Sequence, residues 1–289
     1  MSGARLGRRA VLQAAAAVSI GTTQLGTAQA SDGSNNACTR QDNGTPTQTI
    51  NPPADSPPNG GEDSTLTSLE VEIPPLNQSL AVTAVDSKTT GPTALIVGGI
   101  HGDEVAGYRA ATQLLDWSPT AGQLAILPKA NPGAIARGSR STEYGNLNRH
   151  FPTKRTPSSP VARAVWNVIE RVDPDILLTL HESRGIYKED SSGVGQTVFH
   201  SPTEVAHDAA RMGVRRANRT IGSQRLKLKT GHISHPSIAP TGLLAEKTAY
   251  DVEIPSFIIE TYEGVNLNAR ISWQKAIVRG VLDYFDLTD

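Results

Sequence analysis

Cysteine is nearly absent from this chain: its 289 residues include one, Cys38, which sits in a polar stretch. A lone thiol makes no internal disulfide, so no covalent framework holds the fold. Small apolar residues of the kind that mark lipid attachment do not precede it. Aromatic residues are also scarce, at 4%, so a core must be built from Val, Ile, Leu and Ala. There is no excess of positive charge. The formal net charge is −1, and the first thirty residues hold Arg5, Arg8 and Arg9 without an acid, so the remainder carries −1 − 3 = −4. That balance argues against nucleic acid as a partner. Nor is there a long hydrophobic run. The apolar stretch Ala10–Ile20 is too short and too Ala-rich for a good membrane span.

What is present at the amino end is an export pattern. Arg8-Arg9 precede that apolar run, and Ala28-Gln29-Ala30 offers a small-residue cleavage site. The arginine pair and the mild hydrophobicity resemble a twin-arginine signal, which implies export of a folded protein, with any metal loaded inside the cell. Residues 31–65 are mostly Ser, Asn, Asp, Thr, Gly and Pro and read as a disordered linker. Residues 66–289 are expected to fold as one domain.

In that domain Leu69-Val71-Ile73 and Leu80-Val82-Ala84 alternate like half-exposed strands. Continuous apolar runs at Ala94–Val97, Leu124–Leu127, Ile176–Leu180 and Ser256–Ile259 read as buried strands. Shorter strands are expected at Thr197–Phe199 and Leu226–Leu228. Helical spacing covers Glu104–Trp117, Pro160–Val172, Glu204–Ala217, Leu243–Tyr250 and Leu267–Phe285, while Asn131–Pro152 reads as a polar loop. The alternation predicts an α/β fold: a mixed, mostly parallel central sheet with helices on both faces.

Three of these strands lead into chemistry. Ala94–Val97 runs through Gly98-Gly99 to His101 and Glu104; Ile176–Leu180 ends at His181; Ser256–Ile259 ends at Glu260. The carboxyl ends of parallel strands share one edge, where α/β ligand sites lie. An H-x-x-E pair alone is common, and acids in a helix's first turn are also favoured simply by its dipole. Convergence of four such side chains on one edge is a stronger signal. Two imidazoles and a carboxylate form the ligand set of a catalytic zinc with one open position, here His101, Glu104 and His181, with His200 as a rival. Glu260 fits the general base that takes the proton of an activated water and passes it to the leaving amine, with Glu263 a nearby competitor. The loop adds Arg137, Arg140, Asn148 and Arg149. Arginine forks bind carboxylates, and an arginine beside a metal stabilises an oxyanion.

Taken together, GGIHGDE, NPGAIARGSR, NLNRHFP, LLTLHES and PSFIIET resemble the zinc carboxypeptidase superfamily, closest to its succinylglutamate desuccinylase and aspartoacylase branch. The boxes span roughly residues 66–285. The resemblance implies one zinc on His101, Glu104 and His181, Glu260 as general base, and Asn148 with Arg149 binding a substrate carboxylate. It implies Arg140 polarising the scissile carbonyl, with Arg137 an alternative. The usual D-L-N-R box reads N-L-N-R here, so Asn146 stands where an Asp would orient a zinc histidine. A substrate-capping tyrosine falls to Tyr250 or Tyr262. The expected activity is zinc-dependent hydrolysis of an amide bond near a free carboxylate, in a small molecule or a peptide. The type is an N-acyl amino acid deacylase. The alternatives are an exported metallocarboxypeptidase acting on peptides or cell-wall peptides, and a non-catalytic binding protein with the same fold.

Overall fold

The computed structural model describes residues 64–288. The export signal and all but the last two residues of the expected linker lie outside the described residues. Eight strands form one sheet: β1 (Thr65–Ile73), β2 (Gln78–Asp86), β3 (Thr93–Gly98), β4 (Gln123–Leu127), β5 (Ile176–Ser183), β6 (Thr197–His200), β7 (Lys229–His232) and β8 (Ser256–Tyr262). Their spatial order is β1-β2-β4-β3-β5-β8-β6-β7. The centre, β4-β3-β5-β8, is parallel, while β1, β2 and the β6–β8 pairing are antiparallel. This is the mixed, mostly parallel sheet that the alternation predicts.

The helices are α1 (Val105–Gln113), α2 (Pro132–Ala136), α3 (Pro160–Val172), α4 (Glu204–Asn218), α5 (Leu244–Lys247) and α6 (Leu267–Tyr284). The apolar stripe of α3, Val161, Ala164, Val165, Val168 and Ile169, packs in one cluster with Leu95, Val97, Ala125, Leu127 and Leu177 of the central strands. Helix α6 packs against both α1 and α4 and onto β8. Buried leucine- and isoleucine-size side chains contribute about 1.5–3 kcal/mol each, and this mostly aliphatic interior also buries Trp117, Phe151, Phe257 and Trp273.

Local chemistry sets the helix ends. Ser159 accepts a hydrogen bond from the Ala162 amide at 3.2 Å and Pro160 occupies the first turn of α3. The helix stops at Asp173, in the left-handed conformation at φ 49°, just before Pro174. Thr203 caps α4 in the same way as Ser159.

Two sequence expectations need correction. Asn131–Pro152 is not loop throughout: Asn131 caps α2 and accepts from the Ala134 amide at 3.3 Å, and Leu147–Arg149 makes a 3-10 turn capped by Asn146. An Asn-Pro pair in a polar segment reads as a turn, yet it is also a cap followed by proline at the first helical position. The strand expected at Leu226–Leu228 lies three residues later, as β7, because Gln224–Leu226 forms a 3-10 turn first. Among the described residues no helix is long and apolar enough to cross a membrane.

Candidate metal centre

Gly98 closes β3 and Gly99, at φ 72°, turns the chain so that His101 and Glu104 follow immediately at the sheet edge. Packing then brings them against β5. A Cβ on Gly107 would lie 2.5 Å from the Leu180 carbonyl oxygen, and one on Gly102 would run into the carbonyl of Ala134. Only glycine allows α1 to approach that closely, and the approach places Glu104 beside His181.

His101, Glu104 and His181 are all buried, and their donor atoms lie within 4.8 Å of one another, so the three residues could hold a metal ion. The Glu104 carboxylate sits at the centre. Its Oε1 is 2.7 Å from His101 Nδ1 and its Oε2 is 2.7 Å from His181 Nδ1. Arg140 Nη1 donates to Oε1 at 2.6 Å. Burial alone would raise the Glu104 carboxyl; the two imidazoles outweigh it, His181 most of all, and hold it well below the usual carboxylate range. Burial in turn lowers the basicity of His181, against the pull of Glu104, favouring the neutral ring that metals bind. The donor set is of the kind that catalytic zinc takes.

The other ring nitrogen of His101, Nε2, is 2.9 Å from Asn146 Oδ1, which also accepts the Asn148 amide at 2.9 Å. An amide oxygen accepts but does not donate, so Nε2 carries a proton, which would leave Nδ1 to offer its lone pair to a metal bound on the Glu104 side.

Glu260 lies directly across from His181 in the β5–β8 register. Its Oε2 is buried and has no hydrogen-bond partner, as does His181 Nε2. Burial, reinforced by the Glu104 carboxylate and opposed by Arg140, pushes the Glu260 carboxyl well above its ordinary value. Of the two loop arginines, Arg140 reaches the centre, whereas Arg137 pairs with exposed Glu143 at 3.0 Å. Asn148 is buried, and its Oδ1 accepts the Leu244 amide at 2.9 Å. Arg149 donates to the Asn148 carbonyl at 2.7 Å. Burial and the nearby Arg140 guanidinium disfavour its charge, and Glu246 favours it. Two guanidiniums close enough to repel make a setting that welcomes an anion. Of the two tyrosines, Tyr250 packs its ring edge-on against His235 at 5.5 Å, and Tyr262 stands on β8 two residues past Glu260.

His200, the rival ligand, is not at this edge. β6 runs antiparallel to β8, with His200 opposite Phe257, so the strand carries it to the other end of the sheet. Glu263 sits on the rim, 3.6 Å from Arg184, rather than in the centre.

Sequence reasoning found no role for Glu182. In the structure its buried Oε2 accepts the Ala106 amide at 2.7 Å, capping α1 from the neighbouring strand, while Arg270 of α6 pairs with Oε1. Glu104 occupies the N-cap position of α1 but makes no capping bond; Glu182 caps the helix instead, and Glu104 is free to serve the centre. Gln274 of α6, also unsuspected, donates to the His181 carbonyl and to Thr261 Oγ1, each at 2.9 Å, tying β5 to β8 at the site. The one available signal was an acid directly after a ligand histidine on a strand buried on both faces, which requires a partner for its charge.

Residues 90–180 match the succinylglutamate desuccinylase/aspartoacylase catalytic domain. The chain is 37% identical over 99 residues to the N-alpha-acetyl-L-2,4-diaminobutyric acid deacetylase of Halomonas elongata, covering 32% of this chain and 28% of that protein. Among solved structures it resembles Csd4 of Helicobacter pylori in its mDAP-bound form, a D,L-carboxypeptidase. There the TM-score is 0.61 and the identity 21%, over 69% of this chain and 52% of that one. An aspartoacylase family protein of Mesorhizobium loti matches with a TM-score of 0.56 and 22% identity, over 81% of this chain and 69% of that one. The chain thus spans about half of the Csd4 structure and 28% of the curated deacetylase. On a carboxypeptidase-like fold, then, residues 90–180 carry the catalytic-domain signature of the succinylglutamate desuccinylase/aspartoacylase family, the family that the motifs resemble.

Proposed function

We propose that this chain is a zinc-dependent hydrolase that cleaves an amide bond near a free carboxylate, of the N-acyl amino acid deacylase type. The observation that carries the proposal is the pairing of a buried two-histidine, one-carboxylate centre with an unpartnered buried carboxyl one strand away. His101, Glu104 and His181 would hold the ion. When bound, zinc supplies Lewis acidity and makes water nucleophilic at neutral pH.

The chain's own residues do the rest. Glu260 takes a proton from the attacking water and returns it to the departing nitrogen, so that acid and amine leave as separate products. Its burial suits this double role, since raising a carboxyl's pKa makes the ionised form a stronger proton acceptor than an exposed carboxylate. Arg140, half exposed beside Glu104, can turn its fork to the oxygen on which charge develops. Arg149, with Asn148 behind it, binds the substrate's carboxylate. The likeness over residues 90–180 and to the Halomonas elongata deacetylase supports the deacylase type.

The second reading, an exported metallocarboxypeptidase, draws on the Csd4-like fold and on the twin-arginine pattern at Arg8-Arg9. We place the protein outside the cytoplasm on that pattern alone. A non-catalytic binding protein was suggested by Asn146, yet Asn146 still holds His101 in the tautomer a metal needs. The discriminating experiment offers the zinc-loaded protein a panel of N-acyl amino acids and short peptides and follows release of free amine. Release from the N-acyl amino acids alone supports the deacylase. Release of carboxy-terminal residues from peptides overturns it in favour of the carboxypeptidase.

A further inference from the structure

Three of the chain's seven histidines meet at the opposite edge of the sheet. His200 ends β6 and His232 ends β7, and the parallel register sets them side by side. The chain turns at Ser201, and α4 then lays His207 over His200. The ring centroids of His200 and His232 are 4.6 Å apart, those of His200 and His207 are 5.1 Å apart, and those of His207 and His232 are 6.3 Å apart. Two imidazoles on one tetrahedral ion, with nitrogens about 2.0–2.1 Å from it, have centroids about 5 Å apart. The His101–His181 pair of the catalytic edge stands at 5.1 Å.

The geometry points to a second metal site, at His200, His207 and His232, that takes a borderline transition ion such as Zn2+, Ni2+ or Cu2+. Its chemistry is specific. His200 Nδ1 lies 2.9 Å from the Ser201 carbonyl, which only accepts, so Nδ1 carries the proton and Nε2 the lone pair. This backbone bond orients metal-binding histidines in general. Neither the His207 ring nor the His232 ring has a hydrogen-bond partner among the described residues, so their nitrogens are uncommitted. An all-imidazole set prefers transition ions over magnesium or calcium, which want oxygen. Exposure rises from buried His200 through half-buried His207 to exposed His232, which gives an ion its way in. The three donor atoms are not as tightly gathered as those of His101, Glu104 and His181. To close the set His232, on the surface, would turn about its Cα–Cβ bond.

The competing explanation is three rings packed on one another with no ligand, and stoichiometry separates the two. The untagged full chain is stripped with chelator, dialysed and titrated with Zn2+ in a calorimeter, then with Ni2+. We expect two equivalents for the wild type. The exposed-site variant His232→Ala, and the double variant with His207→Ala, should each bind one equivalent, with unchanged melting temperature in chelator. His101→Ala should also bind one, and X-ray absorption of its Ni2+ form should show imidazole ligands. A wild type that binds a single equivalent, lost in His101→Ala, overturns the proposal. So do two equivalents retained in the double variant. Both outcomes leave the proposed catalytic edge standing; its failure would instead leave one equivalent that His101→Ala does not remove.

Discussion

Both edges of this sheet gather imidazoles, but they are built on different electrostatics. At the proposed catalytic edge a single buried carboxylate, Glu104, binds two histidines and an arginine at 2.6–2.7 Å, and both histidines are buried with it while Arg140 is half exposed. At the other edge there is no carboxylate among the three clustered rings; one backbone carbonyl fixes one histidine, and exposure increases outward. A buried anion pre-organises its partners and costs heavily if left unpaired. The imidazole cluster has no such anion to organise it. The difference follows from strand direction. β3, β5 and β8 all point their carboxyl ends one way, whereas β6 and β7 point theirs the other way. A histidine at the end of a strand therefore belongs to the centre only if its strand runs parallel to β3.

Substitutions can break that contrast, beginning with the most severe. His181→Ala removes a ligand and leaves Glu104 short of a partner; turnover should fall to background and one zinc equivalent should disappear, as read by metal analysis and amine release. The same change at His200 should leave turnover intact. Glu260→Gln removes the proton carrier but no ligand. It should lower kcat by about 10²–10⁴-fold with zinc still bound at the catalytic edge. Full activity in this variant would assign the base elsewhere. Arg140→Ala should lower kcat by about 10²–10³-fold, the usual cost of losing one oxyanion donor. Arg137→Ala, paired with Glu143 at the surface, should lie within twofold of wild type.

One further change sharpens the contrast instead of breaking it. Asn146→Asp keeps both accepted hydrogen bonds and adds a charge behind His101. It should tighten zinc binding at the catalytic edge by about tenfold, measured by chelator competition, and should leave the all-histidine cluster unaltered.

Much of the centre was legible because its residues stand at strand ends, which continuous apolar runs announce. Ile176–Leu180 and Ser256–Ile259 each pointed to the next residue, His181 and Glu260, and the structure sets those two side by side. The α3 boundaries were equally plain, since Ser159-Pro160 and Asp173-Pro174 are start and stop chemistry written in adjacent residues. Contacts between distant segments were not legible. Nothing local says that Glu182 caps α1 across 76 residues, that Gln274 joins β5 to β8, or that β6 runs backward and removes His200 from contention. Pairing direction is a tertiary fact, and a four-residue strand carries too little pattern to reveal it. The α2 turn was missed for the opposite reason: its signal was local, but an Asn-Pro cap and an Asn-Pro loop look alike in sequence.

We propose that one edge of the sheet performs metal-dependent amide hydrolysis with Glu260 as proton carrier. The most direct measurement follows amine release from an N-acyl amino acid by native, chelator-stripped and zinc-restored protein, with Glu260→Gln treated in parallel. Stripping should abolish release, and one zinc equivalent at the His101–His181 edge should restore it. The Glu260→Gln protein should bind that zinc without recovering activity. Release that survives stripping, or that returns equally in both proteins, would contradict it.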